Sequence, residues 1–311
     1  MNILNNISDI SNKYYHHFFS KANVVGVGAG FKFTNHKETN QLSIQVFVKK
    51  KVRKAYLGCN NIIPRTYMGL LTDVIEIGTP KILGSNTIIN GRYRPLKGGC
   101  TIYTKDASLD GTLGCIVVRK QLFKDKYFIL SNNHVLADSN KIILGAEVIQ
   151  PTLKYGGKFQ TDVVARLTQF HPLNFPTALF KPKNFVDCAI AEVTNKSLIS
   201  KEVLKIGKLA GVATPTLGTH VRKTGSKSDL TDGKITSINT TMEVNFDSKK
   251  LLFSNQIFAS LPSLKGDSGS VVVDDNNKVL GLLFASDSSG NHSLINDINL
   301  VLKILNVEIY K

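Results

Sequence analysis

Three short motifs carry side chains that could do chemistry together. His134 stands in the run LSNNHVLA, directly after an apolar, strand-like stretch. Asp187 opens the apolar run VDCAIAEV. Ser268 lies between glycines in GDSGSVVV, a pattern typical of a tight turn that leads into a strand. A serine can serve as a nucleophile, a histidine as the base that takes its proton, and an aspartate as the carboxylate that orients the base.

Each residue type suits one task in acyl transfer. A serine hydroxyl is a poor nucleophile at neutral pH, so it needs an adjacent base to take its proton. Histidine has a suitable pKa for that base, and a carboxylate on its other ring nitrogen holds the tautomer and stabilises the imidazolium. Gly266 allows the backbone to turn, so that the N–H groups of Gly266 and Ser268 can hold an oxyanion. The motifs therefore predict nucleophilic hydrolysis of an acyl bond.

One other acid competes with Asp187 for the orienting role. Asp162 also precedes an apolar pair, but only Asp187 continues into a strand of small and apolar residues. The order in the chain is His134, Asp187, Ser268, with separations of 53 and 81 residues. Each separation leaves room for several strands, so we expect the triad to be assembled by tertiary structure.

The elements that position these residues are predicted to be strands. From about residue 98 the chain shows many short apolar runs with turn signals between them, which is typical of an all-β barrel or sandwich. Apolar residues at three- and four-residue spacing within 298–305 predict a terminal helix. Earlier in the chain, 24–31 and 42–48 predict a β-hairpin, and 74–77 predicts another strand.

The composition indicates a globular chain with a basic surplus. Its 311 residues include 39 Lys and Arg against 23 Asp and Glu. The densest basic run, 49–54, is interpreted as a solvated strand end, because no nucleic-acid-binding motif accompanies it. The polar N-terminus lacks the apolar core of a signal peptide, and no apolar stretch is long enough to span a membrane. We expect a cytoplasmic protein without a membrane partner, and nucleic acid is disfavoured as a partner.

Cofactor and metal motifs are absent from the sequence. The four cysteines form no C-x-x-C pair, and Cys115 and Cys188 lie in apolar runs, so we expect buried, reduced thiols. The glycines at 26, 28 and 30 do not make a dinucleotide-binding pattern, and no phosphate loop is present. We therefore expect neither a cofactor nor a metal.

The three motifs resemble the histidine, aspartate and serine motifs of trypsin-like, chymotrypsin-fold serine peptidases, and the chain order is that of chymotrypsin. The resemblance spans about 98–306. It implies two six-stranded β-barrels with a C-terminal helix and an active site between the barrels. It also implies a serine endopeptidase with protein or peptide substrates. The competing hypothesis is a catalytically latent, protease-fold binding or scaffold protein that needs a partner for activation.

The first hundred residues resemble the N-terminal module of bacterial trypsin-like proteins related to the plant narrow-leaf serine proteases. The motifs are VVGVGAGFKF, QLSIQVFVKKKV, IIPRTYMGLLTDVIEIG and RYRPLKGGCTI. The resemblance implies a small β-rich accessory module over 1–90, a protease domain over 91–311, and possible assembly into homo-oligomers. It leaves the physiological substrate open.

The sequence departs from digestive trypsin-like enzymes in two places, the partner of Asp267 and the residue at position 262. In those enzymes a new N-terminus pairs with the aspartate beside the nucleophile, the position that Asp267 fills here. The valine-rich run at 24–27 lies before a separate module, so that switch is not assumed here. The alternatives are an internal partner for Asp267, or an oxyanion hole that forms only when a partner binds. The position six before the serine is Pro262, which carries no charge, so we expect a preference for apolar or small residues at P1.

Overall fold

The computed structural model describes residues 3–34, 37–82, 89–246 and 249–311. Strands dominate these ranges. The α-helices are α1 (Ile3–Lys13), α2 (Tyr15–Phe19), α3 (Asn133–Leu136) and α4 (Ile298–Leu305). The strands are β1 (Val24–Thr34), β2 (Lys37–Val48), β3 (Thr66–Tyr67), β4 (Leu70–Glu76), β5 (Lys81–Ile82), β6 (Thr101–Thr104), β7 (Gly111–Thr112), β8 (Cys115–Arg119), β9 (Lys126–Ser131), β10 (Glu147–Ile149), β11 (Val163–Phe170), β12 (Lys183–Asn184), β13 (Ala189–Val193), β14 (Glu202–Val203), β15 (Gly207–Lys208), β16 (His220–Gly225), β17 (Asp229–Phe246), β18 (Lys249–Ala259), β19 (Val271–Val273), β20 (Val279–Ser286), β21 (Ser293–Asp297) and β22 (Glu308–Ile309).

The first barrel is an eight-stranded sheet that curls onto itself. Its strand order is β22-β8-β9-β13-β11-β10-β6-β7. Strand β7 pairs with β6, β8 pairs with β9, and only two residues separate β7 from β8. The two edges of the sheet therefore meet where the chain passes from β7 into β8. With β7 and β8 taken as one strand, six strands surround the barrel and β22 adds to its edge.

The second barrel closes completely through six strands, β16 to β21. Antiparallel pairs join β16 to β17, β17 to β18, β18 to β21, β21 to β20, β20 to β19, and β19 back to β16. The all-β architecture with two barrels is the one the sequence predicted.

Alternation along the strands explains how the barrels pack together. Ile116 and Ile129 lie in the interior of the first barrel, whereas Val117 and Phe128, one residue away in each strand, pack on the opposite face. That face also contacts Val271 of the second barrel and the apolar side of α4. Strands buried on both faces read as continuous apolar runs, which is what β8 and β9 show in the sequence. The predicted terminal helix is confirmed as α4.

The strands before residue 90 extend the sheet of the second barrel. Strand β1 pairs antiparallel with both β2 and β17, which confirms the predicted hairpin, and β2 pairs in parallel with β4. The buried side chains of α1 and α2, such as Ile10 and Phe18, pack on this sheet. The domain boundary at residues 90 and 91 stays a prediction. In the described ranges, no helix has the length and apolar character needed to cross a bilayer.

Candidate active site

His134 lies in a one-turn helix at the end of a barrel strand. Strand β9 ends at Ser131, and α3 begins two residues later. The two asparagines before the histidine hold this turn: the Asn132 side chain donates to the carbonyl of Asp187 at 2.7 Å, and that of Asn133 donates to the carbonyl of His171 at 2.7 Å. Both asparagines are fully buried, so the position of the histidine is set by buried hydrogen bonds.

Asp187 is joined directly to His134. The distance from His134 Nδ1 to Asp187 Oδ2 is 2.5 Å, and the backbone N–H of His134 donates to Oδ1 at 3.2 Å. The Asp187 N–H donates to the side chain of Asn296 at 2.8 Å. The carboxylate is fully buried and the imidazole is 3% exposed. A carboxylate in this position holds the Nδ1–H tautomer and leaves Nε2 available as a proton acceptor.

Asp162, the competing acid, lies in a different cluster. Its carboxylate forms ion pairs with Arg92 and with Arg94, the latter at 3.6 Å. It also accepts from the backbone N–H of Lys158 at 3.0 Å. The structure therefore brings Asp187, and not Asp162, to His134.

Ser268 lies in a tight turn that only glycine permits at two positions. The φ angles of Gly266 and Gly269 are +109° and +95°. A Cβ at Gly266 would lie 2.2 Å from Lys227 Cε, and one at Gly269 would lie 2.2 Å from the carbonyl oxygen of Thr112. Side chains at these two positions would clash as well as strain the backbone. The glycines in the motif are thus explained by space and by backbone conformation.

The serine turn docks against the barrel that carries His134. The backbone N–H of Thr112 donates to the carbonyl of Ser268 at 2.8 Å. The Ser131 hydroxyl, three residues before His134, donates to the carbonyl of Thr112 at 2.8 Å. A Cβ on Gly269 would lie 2.1 Å from that hydroxyl, so the turn and the end of β9 are in close contact. The structure thereby brings the third predicted residue to the region of the other two.

The serine and histidine side chains are not hydrogen-bonded to each other in this structure. The Ser268 hydroxyl donates to the carbonyl of Phe284 at 3.3 Å. His134 Nε2 is buried and has no hydrogen-bond partner among the described residues. Ser268 is only 1% exposed. The ring of Phe246 packs edge-on against the imidazole of His134, with 5.9 Å between the two ring centroids. Both side chains are therefore shielded from solvent, and neither the serine hydroxyl nor Nε2 is bonded to the other.

Two backbone N–H groups at the turn are candidates for an oxyanion site. The N–H groups of Gly266 and Ser268 donate to no acceptor within 3–34, 37–82, 89–246 and 249–311. Their neighbours are engaged: the N–H of Asp267 donates to Leu264 and that of Ser270 donates to Asp267, each at 3.0 Å. Backbone N–H groups that are available to donate are the kind of group from which an oxyanion hole is built.

Asp267 has an internal partner, which was one of the two sequence-based alternatives, but sequence reasoning did not identify that partner as Lys223. Its carboxylate lies 3.0 Å from the ammonium of Lys223, and both side chains are fully buried. It also accepts from the N–H groups of Leu264, Lys227 and Ser228 at 2.8 to 3.1 Å. Burial raises the pKa of this carboxyl, but Lys223 and the hydrogen bonds outweigh burial, so the pKa lies below its usual value. Asp267 therefore needs no new N-terminus to hold the turn.

A sequence signal for this lysine does exist. Lys223 lies two residues after Val221 in β16, so the two side chains point to the same, inward face of the strand. An inward lysine in an apolar barrel requires a carboxylate partner. The period-two pattern alone would have placed Lys223 inside.

The four cysteines are free thiols. Three of them, Cys100, Cys115 and Cys188, are buried as expected, and Cys59 is exposed. Burial raises the pKa of Cys100 and of Cys115 to about 12, so neither is a thiolate at neutral pH. None of the buried thiols is poised to act as a nucleophile.

Comparisons with known proteins agree with the fold. No curated protein matches the sequence. Among solved structures, Protease A of Thermobifida fusca is similar with a TM-score of 0.50 and 15% identity, covering 69% of this chain and 98% of its own. A glutamic-acid-specific serine protease that uses a histidine triad in substrate binding also has a TM-score of 0.50, with 20% identity, covering 69% of this chain and 100% of its own. At these identities the likeness is one of fold.

The family assignment comes from the sequence itself. A family model described as the trypsin-like peptidase domain matches residues 113–282, which is more than half of the chain. The match includes His134, Asp187 and Ser268. The relation to the plant narrow-leaf proteases stays a prediction. With two β-barrels, a buried histidine–aspartate pair and this match, the chain belongs to the trypsin-like peptidase family.

Proposed function

We propose that the protein is a serine endopeptidase that hydrolyses peptide bonds through an acyl-enzyme on Ser268. The observation that carries the proposal is the buried His134–Asp187 pair, whose 2.5 Å hydrogen bond leaves Nε2 without a partner among the described residues. A buried base with an available nitrogen, next to a serine turn, is an arrangement suited to activating a hydroxyl.

The reaction follows from these groups. The Ser268 hydroxyl rotates from the Phe284 carbonyl to His134 Nε2, which takes its proton as Oγ attacks the substrate carbonyl. The N–H groups of Gly266 and Ser268 hold the oxyanion that forms. His134 then gives the proton to the leaving amine, and the same groups act in reverse when water hydrolyses the ester. Asp187 keeps the imidazole oriented and stabilises its charged form.

The expected preference at P1 is for apolar or small residues. Pro262 is uncharged, and next to it the hydroxyls of Ser263 and Ser293 bond to each other at 2.9 Å inside the barrel. Neutral side chains at these positions offer a lysine or arginine no opposite charge. Profiling of cleavage in a peptide library tests this preference, and dominant cleavage after Arg or Lys would contradict it.

A second candidate function is a latent protease that needs activation, or a scaffold that has kept the fold. The burial of Ser268 and its bond to Phe284 favour a resting, closed state. In a latent enzyme the groups are competent but covered, whereas in a scaffold they do not react at all.

Labelling with a fluorophosphonate probe separates these functions. We expect the wild-type protein to be labelled on Ser268, with labelling lost in Ser268→Ala and strongly reduced in His134→Ala. Thermal unfolding of the variants controls for misfolding. Labelling that persists in Ser268→Ala would contradict the assigned nucleophile. A well-folded protein that is not labelled, even after the cleft is opened as described below, would favour the scaffold.

A further inference from the structure

The short strand β5 lies on a particular edge of β20. The register places Lys81 opposite Ser286 and Ile82 opposite Ala285, in antiparallel orientation. The other edge of β20 is already occupied there by β21, which pairs with the same two residues. Strand β5 must therefore lie on the edge of β20 that β19 occupies lower down.

That edge of β20 is also the one that the nucleophile turn contacts. The N–H of Gly269 donates to the carbonyl of Leu283, and the N–H of Leu283 donates to Ser270, each at 2.9 Å. One residue further along, the carbonyl of Phe284 accepts from the Ser268 hydroxyl. The next two residues of β20 pair with β5. The nucleophile and β5 are therefore immediate neighbours along this edge of β20.

The other side of β5 faces the strand that covers the base. The N–H of Asn245, near the end of β17, donates to the carbonyl of Pro80 at 3.0 Å, and Asn245 is in register with Lys81. The following residue, Phe246, packs edge-on against His134. Strand β5 therefore lies between the strand that contacts the nucleophile and the strand that contacts the base.

The chain on both sides of β5 contacts segments that adjoin β20 and the Ser268 turn. Before it, Gly78 approaches so closely that a Cβ there would lie 1.8 Å from Ser288 Oγ, two residues beyond β20. After it, Ile89 is the next described residue, and its N–H donates to the carbonyl of Ser226 at 2.9 Å. The Ser226 hydroxyl donates to the carbonyl of Gly266. The described flanks thus contact the loop after β20 on one side and, through Ser226, the residue two before Ser268 on the other.

We propose that Lys81–Ile82 occupies the peptide-binding edge of β20 and so acts as an internal competitor of peptide substrates. The inference rests on the proposed function. An extended peptide adds to a strand edge through its backbone, and the edge beside a nucleophile is where such a strand brings its carbonyl to the serine. In this chain that edge is filled by the protein's own backbone, in the antiparallel orientation that an added strand can adopt.

Such a device is reversible because β5 is short. Two residues form few hydrogen bonds, so their release costs much less than global unfolding, and local openings of this kind are accessible in folded proteins. While β5 is bound, only the released fraction of molecules accepts a peptide, and the apparent affinity for substrate falls by that fraction. A partner or a chain that draws β5 away would raise activity without altering the catalytic groups.

The test compares two substitutions at one position. Lys81→Pro removes the backbone N–H of the residue opposite Ser286. A strand that lies between two neighbouring strands needs this N–H for pairing, so the substitution should disrupt β5. Lys81→Ala is the matched control, because it removes the exposed side chain and keeps the backbone pairing. For a peptide substrate we expect the KM of Lys81→Pro to fall about tenfold or more at unchanged kcat. We expect the KM of Lys81→Ala to match the wild type.

Hydrogen–deuterium exchange provides a readout that does not need activity. In the Ser268→Ala background, we expect peptides containing Ala285 and Ser286 to exchange faster when Lys81→Pro is added, and to be unchanged by Lys81→Ala. If Lys81→Pro lowers the unfolding temperature markedly, the double change Pro80→Gly and Lys81→Gly, which loosens the same stretch, replaces it.

The outcomes distinguish this inference from the proposed function. Normal phosphonate labelling with unchanged KM and unchanged exchange would overturn the inference and leave the peptidase assignment intact. Faster exchange in Lys81→Pro, without labelling of any variant, would support occupancy by β5 and overturn the peptidase assignment. Lower KM together with faster exchange supports both.

Discussion

The buried pair of Lys223 and Asp267 gives the sharpest quantitative prediction. The ammonium and the carboxylate lie 3.0 Å apart, and neither side chain is exposed. Changing Lys223 to Met keeps most of the length of the side chain and removes its charge. Asp267 then remains charged and buried without its counterion, beside the proposed nucleophile Ser268.

The structure sets the size of the effect. Removing one partner of a buried ion pair typically costs about 3–5 kcal/mol, because the other charge is left uncompensated. Asp267 keeps hydrogen bonds from three backbone N–H groups and from Ser228 Oγ. Those bonds continue to stabilise the carboxylate, so we expect Lys223→Met to lower the free energy of unfolding by about 3 kcal/mol, the low end of that range.

The change should also affect the nucleophile turn. Asp267 lies between the two N–H groups proposed for the oxyanion, and loss of one such donor typically costs about 10²-fold or more in rate. We therefore expect the rate of phosphonate labelling of Lys223→Met to fall by about that factor. Urea unfolding measures the first quantity, and time-resolved labelling measures the second.

A surface pair serves as the matched control. Lys126 and Glu192 also lie 3.0 Å apart, but their side chains are 45% and 37% exposed. Because water screens exposed pairs, Lys126→Met should cost less than about 1 kcal/mol and leave labelling unchanged.

A double-mutant cycle decides whether the reasoning is correct. Combining Lys223→Met with Asp267→Asn removes both charges. The loss of unfolding free energy in the double variant should therefore be smaller than the sum of the two single losses by at least about 1 kcal/mol. Additive effects, or a cost for Lys223→Met no larger than that of Lys126→Met, would refute the claim that the buried pair holds the turn.

Three further predictions concern the triad, the response to acid and the thiols. Asp187→Asn should lower kcat by about 10⁴-fold with little change in stability, because the amide no longer selects the Nδ1–H tautomer of His134. Peptide hydrolysis measures this effect, and a near-normal kcat would mean that another acid orients the histidine. The Asp267 carboxyl has a lowered pKa in the folded state, so its contribution to stability is present above the unfolded value of about 3.9 and is lost as pH falls through the folded pKa. Urea unfolding between pH 6 and pH 2 should show this loss in the wild type and lack that component in Asp267→Asn. In the native protein only Cys59 should react with a thiol reagent, with all four cysteines reacting in denaturant; rapid reaction of a second thiol in the native state would contradict the burial of the others.

The candidate residues of the site could be predicted from the sequence, because each stands in a local pattern. A serine between glycines reflects a backbone turn with positive φ, and the structure has that turn at Gly266 and Gly269. An aspartate that opens a run of small apolar residues is buried with its strand, as Asp187 is. Periodicity also predicted the hairpin of β1 and β2 and the helix α4, because each follows from spacing within a short window.

Only the tertiary structure decided which distant groups meet. Nothing in a local window pairs Lys223 with Asp267, since that contact depends on how β16 closes the second barrel. The sequence likewise assigned β5 no role, because two residues carry no periodicity, and their place beside Ser268 depends on the path of the chain between β17 and β20. Residue types predicted the chemistry proposed for this site, whereas the closure of the barrels determined how the Ser268 turn is held and which segment pairs with the edge of β20 beside it.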